Sequence, residues 1–200
     1  LAVIGEKTIW PKIYRGMRYL QQCLVCLCLK HNKPMALNQA LIEEVKREAA
    51  ATRKMLERVP EGQFDYKPHE RSMSLNRLAS HVAEIPLWTQ FTIDMDVLDL
   101  GTGNFTPFAA KDTADLLARH DENIAKAVKA LESADDETLM KVWTLKNGEH
   151  QIMAAPKMHI LRGMTCNHLY HHRGQLSVYL RMLDVPVPGM YGPSSDEGGR

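Results

Sequence analysis

The apolar pattern from Met35 onward predicts an all-α protein, a four-helix bundle with a small hairpin before the last helix. Three observations carry that expectation. Apolar side chains recur at three- and four-residue spacing along four long stretches. Aromatics make up only 6% of the 200 residues, while Leu, Ala and Met are plentiful, which favours helix over a β-sandwich. Pro- and Gly-rich breakers separate the stretches.

The first helix is expected from about Asn38 to Arg58, with Leu41, Val45, Ala49, Thr52, Leu56 and Val59 on one face. Pro60-Glu-Gly62 ends it, and a linker, Gln63 to Arg71, follows, with Pro68 ruling out continuous helix. Ser74 is the expected N-cap of a second helix running to about Leu98. Leu78, His81, Ile85 and Trp88 fall at helical spacing within it, so His81 lies on the buried stripe. Pro86 should kink this helix and free a carbonyl one turn earlier. After the loop Gly101 to Pro107, a third helix is expected from Thr113 to Leu131, with Asp112 before it. Trp143 to Met153 reads as a hairpin around Asn147-Gly148, the strongest short-range turn signal. Pro156 opens the last helix, where its missing N–H costs nothing, and Asp184-Val-Pro-Val-Pro188 closes it. The tail from Gly189 to Arg200 is a loop expected on the surface.

Residues 1–34 differ in kind from residues 35–200. They open on Leu, mix aromatic, basic and cysteine residues without period, and end in Lys-His-Asn-Lys-Pro34. The reading adopted is an upstream extension outside the domain that starts at Met35. A short signal-like segment fits less well, because Tyr19 to Leu29 contains two glutamines and no small-residue cleavage site follows before Met35. An extra helix packed on the bundle is the other alternative.

Composition narrows the function. With 25 basic against 24 acidic residues and a net charge of +1, there is no basic excess for nucleic-acid binding. No apolar run reaches the roughly 18 residues that span a bilayer. Cys23, Cys26 and Cys28 crowd into one apolar stretch without a second ligand pair, so they read as reduced thiols. A reducing, cytoplasmic setting is the resulting expectation.

The chemistry is concentrated in histidines. The last helix contains Asn167-His168-Leu-Tyr-His171-His172-Arg-Gly-Gln175. At about 100° per residue, His172 lies roughly 40° from His168 and one turn on, so the two share a face with Met164, Gln175 and Tyr179. Arg173 points well away from that face and suits an ion pair or a subunit contact. Two imidazoles at this spacing are able to share one metal ion, and His81 on another helix supplies a third donor. The candidate ligands are therefore His81, His168 and His172, with His171 as the alternative within the doublet. Neutral imidazole suits zinc, nickel, iron, cobalt or manganese, and three ligands leave a position for water or substrate. Glu84, Asn167 and Gln175 are the candidates for fixing the imidazole tautomers. His120, among polar helix residues, is expected to be solvated, and Cys166 to be a small buried residue.

Four stretches resemble the DinB/YfiT-like superfamily of metalloenzymes, the DinB family. They are Phe64-Asp-Tyr-Lys-Pro-His-Glu-Arg-Ser-Met-Ser-Leu75, Leu78-Ala-Ser-His81-Val-Ala-Glu-Ile-Pro86, Asn167-His-Leu-Tyr-His-His-Arg-Gly-Gln175-Leu-Ser-Val-Tyr-Leu-Arg181 and Asp184-Val-Pro-Val-Pro-Gly-Met-Tyr-Gly-Pro193. The resemblance spans Met35 to about Gly198. It implies an up-down-down-up bundle, often a homodimer, with a divalent metal ion (Zn, Ni, Fe or Mn) on the positions matching His81, His168 and His172. It also implies a small-molecule substrate and, by analogy with thiol-dependent transferases, a low-molecular-weight thiol. The expected function is a metal-dependent enzyme of thiol S-transferase or hydrolase type. The alternative is a non-catalytic metal-binding stress-response protein. No catalytic residue is assigned beyond the metal ligands.

Overall fold

The computed structural model describes residues 35–103 and 106–198. The expectation for residues 1–34, the three clustered cysteines included, lies outside the described residues. Every element below belongs to one unit, Ala36–Arg200.

Helix α1 spans Leu37–Leu56, α2 Leu75–Glu84, α3 Leu87–Asp94 and α4 Thr113–Ser133. A short helix, α5, spans Asp136–Met140. The last helix begins as α6, Lys157–Ile160, passes through a wide π-turn at Leu161–Asn167, and continues as α7, His168–Met182. Strands β1 (Val97–Asp99), β2 (Val142–Asn147) and β3 (His150–Pro156) form one sheet in the order β1-β2-β3. With α2 and α3 taken as one broken helix, and α6 and α7 as one continuous one, the chain is a four-helix bundle.

Caps fix where the helices begin. Ser74 accepts the Arg77 N–H at the start of α2, and Asp112 accepts the Asp115 N–H at 2.7 Å at the start of α4. Pro86 does more than kink the second helix. It divides it, because it supplies no N–H for the carbonyl one turn back. At the break, Asn123 of α4 donates to the Ala83 carbonyl at 3.0 Å, so a side chain of the facing helix satisfies a carbonyl beside the interruption. α4 packs against α1, α2 and α3, while α7 packs against α1 and α2.

The core divides by position along the bundle. Met55, Leu56, Leu78, Val82, Leu116, Leu176 and Leu180 form one fully buried cluster joining α1, α2, α4 and α7. Leu41, Ile42, Ile93, Leu131, Leu139 and Leu161 form a second at the other end of α1. Trp143, Leu145 and Ile160 form a third beneath the sheet. Truncating a buried leucine in such clusters typically costs about 2–5 kcal/mol, from lost transfer energy and the cavity left behind.

The predicted hairpin is present as β2 and β3, with Gly148 at φ 59° in its turn. It is extended by β1, which pairs parallel to β2. The second helix therefore stops at Asp94, and the residues expected to finish it become a strand. An Asp99 carboxylate oxygen clamps the junction, accepting from Gly101 N at 2.8 Å and Gly148 N at 2.9 Å. A Cβ on Gly101 would meet Gly148 N at 2.6 Å, so this approach requires glycine. On the other side of the sheet, the buried Lys157 ammonium donates to the Ile93 and Met95 carbonyls and pairs with Asp96 at 2.9 Å. It ties the end of α3 to the start of the last helix. No helix among the described residues is long and apolar enough to cross a membrane.

Candidate metal centre

The packing of α2 against α7 brings three histidines together. One ring nitrogen from each of His81, His168 and His172 lies within 4.8 Å of the others. The ring centroids are 4.7 to 4.9 Å apart. His168 and His172 meet because they are one turn apart on α7, and His81 faces them from α2. His171, the alternative ligand, is exposed and falls outside the cluster, its ring against that of His172.

Hydrogen bonds orient two of the rings. His168 Nδ1 lies 3.2 Å from the Met164 carbonyl, which only accepts, so Nδ1 carries the proton and Nε2 presents a lone pair. His172 Nδ1 lies 2.8 Å from Gln175 Oε1, with the same consequence. Of the three residues expected to fix the tautomers, Gln175 does so. Glu84 does not: its carboxylate is buried and accepts the Phe108 N–H at 3.0 Å. Asn167 is exposed. The Met164 carbonyl was not legible in sequence, because backbone acceptors carry no residue signature and the π-turn changes the local register.

The site is held neutral. Burial, then the positive neighbours His172, His168 and Arg77, push the His81 pKa down to about 4. Burial also lowers His168 and His172, partly opposed by their bonds to Met164 and Gln175. Near neutral pH all three imidazoles are therefore unprotonated, the form that ligates metals.

The donor set fits a divalent ion. His81 Nε2 and His168 Nε2 stand 3.2 Å apart. Two nitrogens at about 2.0–2.1 Å from one tetrahedral zinc would be separated by roughly 3.3 Å. Among the described residues the cluster has three members, so the donor set is that of an open site and not a closed four-ligand one.

Other chemistry-bearing residues lie elsewhere. Cys166 is buried, and burial pushes its thiol up to about 11, so it is inert packing. His120 is not solvated as expected. It is 1% exposed, between Asp121 at 3.2 Å and an unpartnered Nε2, because its helix face turns inward toward α1 and α2. Arg173 makes the expected ion pair. It is buried against Glu48 at 2.8 Å and donates to Thr52 Oγ1 and the Tyr191 hydroxyl.

Comparison with known proteins bears on the family and the fold. A family model described as the DinB family matches residues 31–199. The protein YrdA of Bacillus subtilis (strain 168), described as uncharacterized, is 28% identical over 151 residues, covering 75% of this chain and 85% of its own. A DinB-like crystal structure from Bacillus cereus ATCC 10987 is similar with a TM-score of 0.59 at 21% identity, covering 78% of this chain and 98% of that one. A DinB-like protein, YjoA, from Bacillus subtilis gives 0.56 at 21% identity, covering 74% and 96%. These structural likenesses speak to the fold. The family match covers most of the chain, the histidines included, and the chain belongs to the DinB family.

Proposed function

We propose that this chain is a metal-dependent enzyme whose three histidines, His81, His168 and His172, hold one divalent ion, with zinc, nickel, iron or manganese as candidates. The observation that carries the reading is the pair of Nδ1 bonds on α7, to Met164 and Gln175, which leave the Nε2 lone pairs facing His81. His81 Nε2 meets His168 Nε2 at 3.2 Å, so a proton on His81 bridges the pair in the metal-free site and a cation would take that proton's place. A bound ion would supply Lewis acidity and lower the pKa of a water or thiol that it ligates. His81, His168 and His172 would bind it, while Met164 and Gln175 hold the rings in the productive tautomer.

The three-member donor set favours chemistry over a purely structural ion, and thus an enzyme over a non-catalytic metal-binding stress-response protein. The reaction class is thiol S-transfer or hydrolysis on a small-molecule substrate, with a low-molecular-weight thiol as cosubstrate in the first case. A cytoplasmic homodimer is part of the same proposal, and sedimentation would test the dimer. Elemental analysis of protein purified without added metal should find about one ion per chain. The loaded protein should then turn over in a screen of thiols with electrophiles, esters and amides. Absence of metal in protein that remains folded would sink the reading, and metal without turnover would return the non-catalytic alternative.

A further inference from the structure

Arg77 differs from the ion-paired arginines of the bundle. Arg53, Arg162, Arg173 and Arg181 each meet a carboxylate. Arg77 Nη1 is buried and has no hydrogen-bond partner. A buried guanidinium hydrogen without an acceptor is costly, more so than a neutral one. Arg77 stands on α2 one turn before His81, so both side chains rise from one helix face. Its charge is felt at His81 on α2 and at His172 on α7.

The charges that act most on the three imidazoles are one another, His171 and Arg77, with no carboxylate among them. Metal sites built for cations or neutral ligands commonly balance the ion with acidic side chains. Here a divalent ion would add its charge to that of a guanidinium, in a site with neutral ligands. Such a field draws anions. A guanidinium presents a planar fork of donors that matches a carboxylate.

We propose that Arg77 is the anion-binding arm of the histidine site, and that the small molecule entering the site carries a carboxylate which this guanidinium grips. The proposal deepens the functional reading above and rests on it. It assigns the substrate or thiol to the class of small acids, and gives the unpartnered Nη1 its acceptor. Arg77 is then a positioning residue: it sets where the acid's reactive end lies relative to the three imidazoles.

The test uses the full-length protein loaded with cobalt(II), whose absorption reports ligand binding. Two matched probes are titrated, 3-mercaptopropionate and its neutral counterpart 3-mercaptopropionamide. The unmodified protein should bind the acid about tenfold or more tightly than the amide, the scale of one charge-assisted hydrogen-bonded contact. Arg77→Gln should bring the two affinities within about twofold of each other, by loss of the acid's advantage alone. Arg77→Lys, which keeps charge without the fork, should fall between, and it keeps the test decisive if the glutamine variant folds poorly. Equal affinities on the unmodified protein, or an acid preference that survives in Arg77→Gln, would overturn the proposal. Elemental analysis of the same samples separates the two levels: failure to take up cobalt refutes the metal reading, and this inference with it.

Discussion

His172 and Arg173 are neighbours in the chain, yet they serve polar regions of opposite character. Arg173 enters a network complete within the protein. Glu48 neutralises it, Thr52 and the Glu48 carbonyl accept from it, and Tyr191 joins both partners by its hydroxyl. His172 joins a cluster in which, among the described residues, three imidazoles face one another with no carboxylate between them. Two polar clusters on one helix can therefore be told apart by whether their hydrogen-bonding account closes internally. The closed one holds α1, α7 and the tail together, and the open one is the site proposed for the metal ion.

Breaking the closed network should have the largest effect. Arg173→Met takes from buried Glu48 its buried cation and leaves it the exposed Arg47 at 3.6 Å and the Tyr191 hydroxyl, and breaking a buried pair costs about 3–5 kcal/mol. Thermal unfolding should move down by about 10 °C or more, with or without metal. The double variant Arg173→Met with Glu48→Leu should recover much of that loss, because no charge is then stranded. If the single variant is as stable as the parent, the contrast between the two regions fails.

The open cluster should respond in the reverse manner. His81→Ala, His168→Ala and His172→Ala should each remove most bound metal, read by elemental analysis, while apo stability changes little. His171→Ala should leave the metal in place. Metal lost from His171→Ala but retained in His172→Ala would show that the ligand register is wrong. Gln175→Leu should weaken metal binding by about 10–100-fold, since it releases the His172 ring without removing a ligand.

Acidity should act on the open region first. Unfolded, an imidazole takes its proton near 6.5, while folded His81 holds its value to about 4. The unfolded chain thus binds more protons between those values, and stability is present above that window and lost as pH falls through it. Metal binding depends on the same neutral rings. A chelator should lower the melting temperature by several degrees at about pH 7.5 and change it little once the pH is below about 4, where folded His81 takes its proton. Calorimetry at the two pH values checks this, and equal chelator effects would refute it.

The smallest effect is expected from removing residues 1–34, read as lying outside the domain. Metal content and melting temperature should stay as they are, and a clear loss of either would make the segment part of the bundle.

The parts legible in the sequence were those that depend on local spacing. The long helices, the Asn147-Gly148 turn and the meeting of His168, His172 and Gln175 on one face all follow from the turn of a helix. The bringing together of those residues with His81 needed only the further assumption that apolar stripes face each other. The parts that stayed hidden depend on distant partners. Glu48 and Arg173 are 125 positions apart. Nothing in the neighbourhood of His120 marks it as buried, since its own helix reads as polar there. The second helix hid a strand because Val97-Leu-Asp99 suits either state alone, and only pairing with β2 decides it.

The π-turn at Leu161–Asn167 has a consequence for how this protein tolerates change in length. A helix that must seat Ile160 and Leu161 in the second and third cores and His168 and His172 against α2 has two bearings to satisfy, one on each side of the turn. An ordinary helix fixes the angle between them by residue count, at about 100° per position. The wide turn takes up one surplus position, as a leap day absorbs the drift of a calendar, and leaves both bearings true. Losing a single residue there would tighten the turn to an ordinary one and leave everything downstream on its bearing, whereas the same loss elsewhere in the helix would swing it by about 100°. In that second case the histidines would face a different neighbour, with every ligand still present in the sequence.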